Sequence, residues 1–236
     1  MHRFFVPPED LQGNRVTFSP EQAHQLRQVL RMQSGERVVV LDNSGWEYET
    51  VLVINGKQVT GELVAKRPSP GEPAIHLTLY QSLLRREKFE WVLQKCTEIG
   101  VSCIVPVITR RTLARETAVK PAKLTRWQKI VTEAAEQSRR GRIPQISPPQ
   151  SLAAAMSHAV ATTDLTLIPW EAARGTTIRD VLINRQIQSV ALFIGPEGGF
   201  DTDEVENGRR LGIIPVTLGP RILRAETAAL VASTLI

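Results

Sequence analysis

The chain has 236 residues, 42% hydrophobic and 22% charged, the make-up of an ordinary folded protein long enough for one large domain or two small ones. Its formal charge of +5 and pI near 9.6 point to a polyanionic partner, while Cys96 and Cys103, its two cysteines, exclude a disulfide framework or a cysteine-based zinc site and read as buried thiols. No apolar run approaches the roughly 20 residues of a bilayer span, and MHRFFVPPED lacks the apolar core of a signal peptide, so a cytoplasmic protein is expected.

From residue 3 to about 67, β-branched and aromatic runs at 3–6, 16–18, 37–42, 48–54 and 58–64 alternate with glycines and predict a small β-barrel. One helix interrupts them, opened by Ser19 as N-cap, Pro20 at N1 and Gln22 at N3, and continuing through Leu26, Val29 and Leu30. Arg27 and Arg31 lie four apart and share a face of it. The stretch PSPGEP at 68–73 can join neither a helix nor a central strand, so it divides the chain into domains 1–70 and 71–236.

Beyond this boundary strands and helices alternate. A strand at 75–80 precedes a helix over 87–99, with Phe89, Val92, Leu93 and Cys96 at i, i+3, i+4 and i+7 and Gly100 as its stop. A strand at 103–108 leads to a long helix over about 122–140, whose apolar side holds Leu124, Trp127, Val131, Ala134 and Ala135 and which Gly141 ends. A short alanine-rich helix, a strand at 165–168 and a weak helix near 178–184 follow. This alternation predicts an α/β fold with a parallel sheet covered on both faces.

Two turns close the chain. ALFIGPEGGF at 191–200 and LGPRILRAET at 218–227 each end a strand-like run on Gly-Pro and pass into helix-start chemistry, as loops leaving neighbouring strand ends at a ligand crevice would. Gly195, Gly198 and Gly199 permit positive φ and close approach of a ligand, and Asp201 with Glu204 fits the N-cap and N3 of a helix that includes Val205 and Leu211. Neither G-x-G-x-x-G nor G-x-x-x-x-G-K-[ST] occurs at either turn, and Pro196 removes an amide, so a dinucleotide or triphosphate is not expected.

Charge is unevenly placed. Residues 1–70 carry eight basic and eight acidic side chains, whereas 85–142 carry fourteen basic against six acidic. Arg85, Arg86, Arg110, Arg111, Arg115, Arg139, Arg140 and Arg142 cluster near predicted element ends, where they read either as phosphate contacts or as solvated helix faces.

IGPEGGF at 194–200 and LGPRILRAETA at 218–228 resemble the two signature loops of the SPOUT methyltransferases, and specifically the ribosomal RNA small-subunit methyltransferase E family. HRFFV at 2–6, QVLRM at 28–32, REKFEWVLQKCTEIGV at 86–101 and EAAEQSRR at 133–140 extend the likeness over nearly the whole chain. The resemblance implies a SPOUT-type parallel sheet with a C-terminal trefoil knot, preceded by a small PUA-like, RNA-binding β-barrel domain. Strand and helix patterns alone suggest only an ordinary doubly wound sheet.

The same resemblance implies methylation of N3 of a uridine in 16S ribosomal RNA, with S-adenosylmethionine as donor and a homodimer joined through the knotted domain. It places the donor among Ile168, Trp170 and Glu171; Ile194, Gly195, Glu197, Gly198 and Gly199; and Leu218, Gly219, Ile222, Leu223 and Thr227. Core packing explains Ile222 and Leu223 equally well. Because uracil N3 must lose a proton and spread charge onto its carbonyls, Arg224 and then Arg221 are the candidate stabilisers, with Glu226 as proton acceptor or arginine orienter. An Arg224–Glu226 pair that merely caps the last helix is the competing reading. Arg3, Arg27, Arg31, Arg85, Arg86, Arg110, Arg139 and Arg140 are the candidate RNA contacts, and no metal site is expected. Ala225 stands where the family usually has threonine, which removes a hydroxyl contact there. A SPOUT enzyme acting on another RNA and a non-catalytic RNA-binding ribosome-assembly factor are the alternative readings, the latter separable by measuring donor binding.

Overall fold

The computed structural model describes residues 1–113 and 119–236. Arg115, one of the candidate phosphate contacts, lies outside them. The chain divides into two units, Met1–Glu72 with Ala135–Ile143, and Pro73–Ala134 with Pro144–Ile236.

The first unit contains strands β1 (Arg3–Phe5), β2 (Leu11–Gln12), β3 (Arg15–Thr17), β4 (Arg37–Leu41), β5 (Trp46–Asn55) and β6 (Gln58–Pro68), with helix α1 (Pro20–His24) between β3 and β4. They make a mixed six-stranded sheet in the order β1-β4-β5-β6-β3-β2, with β1 and β4 parallel and the remaining pairs antiparallel. Ser19 and Gln22 form the expected capping box, the Ser19 hydroxyl accepting from the Gln22 amide at 3.2 Å. The helix continues after His24 with wider π-type turns that bury Leu26 but leave Val29 two-thirds exposed, so Val29 is not the core residue that its spacing implied.

Strand β4 explains why this unit recruits a distant segment. Its run RVVVL is apolar on both faces: Val38 and Val40 pack with Phe4, Val16, Leu26 and Leu52, while Val39 and Leu41 turn the other way. Ala135 and Ile143 cover that second face together with Phe5. Backbone groups are satisfied there as well. Phe5 N–H donates to Glu136 Oε1 at 2.9 Å, Ile143 N–H to Asn43 Oδ1 at 2.7 Å, and Gly45 N–H to the Gly141 carbonyl at 3.2 Å. A boundary at residue 70 accounts for the proline-rich end of the unit but not for residues 135–143.

The second unit contains β7 (His76–Ser82), α2 (Arg86–Ile99), β8 (Cys103–Ile108), α3 (Pro121–Gln137), β9 (Gln145–Ile146), β10 (Gln150–Ser151), α4 (Leu152–Thr162), β11 (Leu165–Pro169), α5 (Ile178–Leu182), β12 (Ser189–Ile194), α6 (Thr202–Arg210), β13 (Ile214–Val216) and α7 (Ala225–Thr234), the last turn of α3 belonging to the first unit. Every strand pairing here is parallel, in the order β10-β8-β7-β12-β11-β13, with β9 beside β8. Tyr80, Val105, Ala191 and Phe193 pack with Leu152, Ala155, Met156 and Ala159 of α4, and the Tyr80 and Phe193 rings stack at 4.4 Å. The alternate positions Leu79, Val190 and Leu192 point to the other face, where α7 lies on β7 and β12 and α2 packs on α7. This is the α/β fold with a parallel-strand sheet.

Helix ends divide into those that followed local signals and one that did not. Gly100 closes α2 at φ 118°, and Asp201 with Glu204 forms the capping box of α6. Helix α3 stops at Gln137 rather than at Gly141. Arg139 takes the left-handed conformation, φ 64°, and Arg140 N–H reaches back to the Ala135 carbonyl at 3.0 Å, the bond of a Schellman close. Gly141 serves close approach instead, since a Cβ there would stand 2.5 Å from the Ser69 side chain.

Candidate active site

The carboxyl ends of β12, β11 and β13 lie side by side, so the loops that leave them emerge at one edge of the sheet. They enclose a cavity of about 1090 Å³. One wall is Pro169–Gly175, a second is Ile194–Phe200, and the third is Thr217–Arg224, with Ala225 and Ala228 of α7 and Lys88 of α2 completing the lining. The volume is at the upper end for small-molecule sites.

Each loop is held by main-chain bonds. Trp170 N–H donates to the Val216 carbonyl at 3.1 Å, Thr217 N–H to the Thr176 carbonyl at 2.8 Å, and Gly199 N–H to the Pro196 carbonyl at 2.9 Å. Of the glycines in the 195–199 turn only Gly199 has positive φ, 69°; Gly195 is needed for space, because a Cβ would come 3.2 Å from the Phe200 ring, and Gly198 sits in an ordinary conformation. In the other turn Gly219 takes φ 104°.

The first turn is anchored from the β8 side. Arg110 N–H donates to Glu204 Oε1 at 2.9 Å and its guanidinium to Asp201 and Asp203, while Arg111 reaches the Gly198 carbonyl at 3.1 Å and Asp201 at 3.2 Å. The Asp203 amide, with the charges of Arg111 and Arg110, holds the Asp201 carboxyl below its ordinary value.

Deeper in, Lys88 Nζ stands 3.6 Å from Glu197 Oε1 and 3.7 Å from Glu226 Oε2. These are ion-pair distances, longer than hydrogen bonds. Both Glu197 oxygens and Glu226 Oε2 are buried and have no hydrogen-bond partner among the described residues. Buried acceptors in that state cost stability, and a ligand that brings donors removes the cost. Glycines without a Cβ, apolar walls at Ile194, Leu218 and Leu223, and orphaned carboxylate oxygens together fit an adenosyl compound with a charged tail.

Residues 71–236 match the family model described as RNA methyltransferase domain. The ribosomal RNA small subunit methyltransferase E of Synechocystis sp. is 34% identical over 236 residues, covering 98% of this chain and 75% of that protein. Its counterpart in Mesomycoplasma hyopneumoniae is 32% identical, covering 98% and 96%. The chain belongs to the ribosomal RNA small subunit methyltransferase E family. A family member from Neisseria gonorrhoeae, solved bound to S-adenosyl methionine, superposes with TM-score 0.88 at 30% identity, covering 99% of this chain and 95% of that one.

In this methyltransferase the cavity gathers Trp170, Glu171, Ile194, Gly195, Glu197, Gly198, Gly199, Leu218, Gly219, Ile222 and Leu223 from the residues expected at the donor. Ile168 and Thr227 are not among its lining. Ile168 is fully buried in the core because β11 continues past it and turns its side chain toward α4 and Phe193. Ile222 is the most exposed large apolar residue described, 87%, which removes the core-packing explanation for it. Arg221 and Arg224 are exposed on the lining, and among the described residues neither guanidinium has a bonded partner. Arg224 supplies the N-cap backbone of α7 without a side-chain capping bond, and Glu226 pairs with Lys88 rather than with an arginine. The Arg224–Glu226 cap is therefore absent.

Lys88 is the residue that sequence reasoning missed. The available signal was its place in the first turn of α2, where a cation opposes the helix dipole and acidic residues are preferred.

The expected RNA contacts separate into two groups. Arg27, Arg31, Arg85 and Arg139 present guanidiniums at or near the surface, and Arg86 is exposed beside Glu90 at 3.3 Å. Arg110 is exposed but already paired with two aspartates. Arg3 and Arg140 are structural. Arg3 is nearly buried and donates to the buried Glu47 at 2.5 Å, and Arg140, 1% exposed, pairs with Glu72 at 3.1 Å. In each pair one partner is buried, Glu47 in the first and Arg140 in the second, so the opposite charge is held inside the same unit.

Proposed function

We propose that the protein methylates N3 of a uridine in 16S ribosomal RNA, with S-adenosylmethionine held in the cavity at the edge of the parallel sheet. The observation that carries this reading is the meeting of the two glycine turns on one cavity in a chain of this family. When bound, the donor supplies an electrophilic methyl group. Gly199 and Gly219 let main chain approach it closely, and Ile194, Leu218 and Leu223 give apolar contact to its adenosine part. Arg224, with Arg221 beside it, places fixed positive charge at the mouth, where the uracil carbonyls gain negative charge as the N3 proton departs to solvent. N3 lies on the Watson–Crick edge, so the target base is unpaired or extruded.

Three finer features belong to the same reading. The mixed sheet of the first unit is a PUA-like RNA-binding barrel, in keeping with its mixed strand pairing and with exposed Arg31. The loops that line the cavity belong to a trefoil knot, and the domain spanning 71–236 is of SPOUT type, a reading supported by structural likeness over almost the whole chain. A homodimer forms through that domain in the cytoplasm, consistent with half-buried Ala228, Leu230 and Val231 on α7; static light scattering at micromolar concentration tests it. No helix among the described residues is long and apolar enough to cross a membrane.

The decisive experiment incubates small-subunit ribosomal RNA with protein and methyl-labelled donor, then maps the labelled base. Label on a uridine N3 is the expected result. Label elsewhere, or donor binding without transfer, overturns the reading.

A further inference from the structure

We propose that Glu197, backed by Lys88 and Glu226, forms a cation subsite in the cavity that receives the α-ammonium of the donor's amino-acid end. The proposal rests on the reading of this cavity as a donor site and adds a residue-level assignment to it.

Charge comes first. A single ammonium, Lys88, stands between two carboxylates at 3.6 and 3.7 Å, so the cluster keeps one negative charge in a partly desolvated place. Hydrogen bonding narrows the choice. Among the described residues no donor reaches either buried Glu197 oxygen, and Lys88 is too far away to serve as one. A matching ligand group must therefore be cationic and must carry N–H. The sulfonium of the donor is cationic but has no hydrogen to give, whereas the ribose hydroxyls and the adenine amino group donate but are neutral. Only the α-ammonium is both, and a charge-assisted bond to it would use the acceptors left unpaired.

Placement agrees. Lys88, Glu197 and Glu226 come from α2, the first glycine turn and the first turn of α7, so packing of α2 on α7 fixes the cluster before any ligand arrives. Glu197 lines the cavity and is the contact, while Glu226 lies behind the lining and acts through Lys88. Exposed Arg221 and Arg224 line the cavity at its mouth and make no ion pair with this cluster among the described residues.

Calorimetry on the whole protein tests this without turnover. S-adenosylmethionine, S-adenosylhomocysteine and decarboxylated S-adenosylmethionine all keep the ammonium and should bind within a few-fold of one another, whereas 5′-methylthioadenosine, which lacks it, should bind about tenfold or more weakly. Glu197→Gln should close most of that gap. Glu226→Gln should narrow it through space, since it neutralises the cluster, with the melting temperature of both variants confirming the fold. Methylthioadenosine binding as tightly as the homocysteine compound in the wild type overturns the subsite, as does a gap that survives Glu197→Gln in a folded variant. A large preference for the methionine over the homocysteine compound also overturns it, because the carboxylates would then be answering the sulfonium. Failure of every adenosyl compound to bind would instead remove the donor-site reading itself.

Discussion

Arg140 Nη2 donates to Glu72 Oε2 at 3.1 Å, while Glu72 Oε1 accepts from the Gly141 and Arg142 amides at 2.9 and 3.0 Å. The proline-rich stretch is thus pinned at its acidic residue, and two adjacent arginines part company. Arg140→Ala leaves this carboxylate without its buried cation and should cost about 3 kcal/mol in urea unfolding. Arg139→Glu, which sets an anion against the C-terminal dipole of α3, should cost no more than about 1 kcal/mol but weaken RNA binding and flatten its dependence on salt, with donor affinity unchanged. An unchanged salt slope would return Arg139 to the solvated surface.

Gly199 and Gly198 are neighbours with opposite requirements. Alanine at 199 must adopt φ 69° and bring its Cβ 3.0 Å from Glu171 Oε1, at a cost of about 1 kcal/mol, so donor affinity should fall roughly fivefold as the loop relaxes. Alanine at 198 meets only ordinary contact with the Arg111 side chain, 3.4 Å away, and should bind donor normally. Equal effects at the two positions, measured by calorimetry, would mean that the turn does not shape the donor site.

Arg224 lines the cavity with no bonded partner among the described residues, and its side chain does not cap α7. Arg224→Ala should therefore preserve the melting temperature and both ligand affinities, yet lower turnover about a hundredfold, the usual size of a lost transition-state contact near 3 kcal/mol. Raising pH should recover part of the rate by deprotonating more uracil, and Arg224→Lys should recover part by keeping the charge without the planar fork. A variant that loses stability but turns over normally per folded molecule shifts the role to Arg221.

Glu47 gives the first unit an acid limit. Burial raises its carboxyl pKa, but hydrogen bonds and charge from Arg3 and Arg67 outweigh that and hold it below the ordinary glutamate value. A depressed folded-state pKa means that the stabilisation is complete above the unfolded value, about 4.5, and is lost as pH falls toward the folded one. Glu47→Gln should be less stable at pH 7, because Arg3 stays buried unpaired, and its stability should fall less steeply below pH 4.5 than the wild type's. Parallel acid limbs for the two proteins would remove Glu47 as the titrating group.

Much was legible in the order of residues because it is decided within a turn or two of chain. Ser19 with Gln22, Asp201 with Glu204, and Gly100 mark their helix ends where the structure has them. Helical spacing in Phe89, Val92, Leu93 and Cys96 put these side chains inside, and burial raises the Cys96 thiol to about 12. The two Gly-Pro turns read as leaving neighbouring strand ends; β11 in fact lies between β12 and β13, and the parallel sheet still brings both turns to one cavity. Local signals erred where a distant partner outweighed them. Gly141 reads as a helix stop, yet close packing against Ser69 and Gly45 is what requires it, and the stop is made by an arginine in a conformation that glycine would adopt more readily.

By itself, then, the sequence determined the elements, the alternation that makes an α/β sheet, and the loops at its carboxyl edge, since caps, periodicity and turn residues act on near neighbours. Tertiary structure alone decided which charges remain free. Arg3 finds Glu47 across 44 residues and Arg140 finds Glu72 across 68, while Arg221 and Arg224 stay unpaired at the cavity among the described residues and Lys88 comes to stand between Glu197 and Glu226. A charged side chain carries no local mark of its partner, because that partner is set by strand register and helix packing; only when two elements meet does burial make an ion pair obligatory in one place and leave a cation available in another.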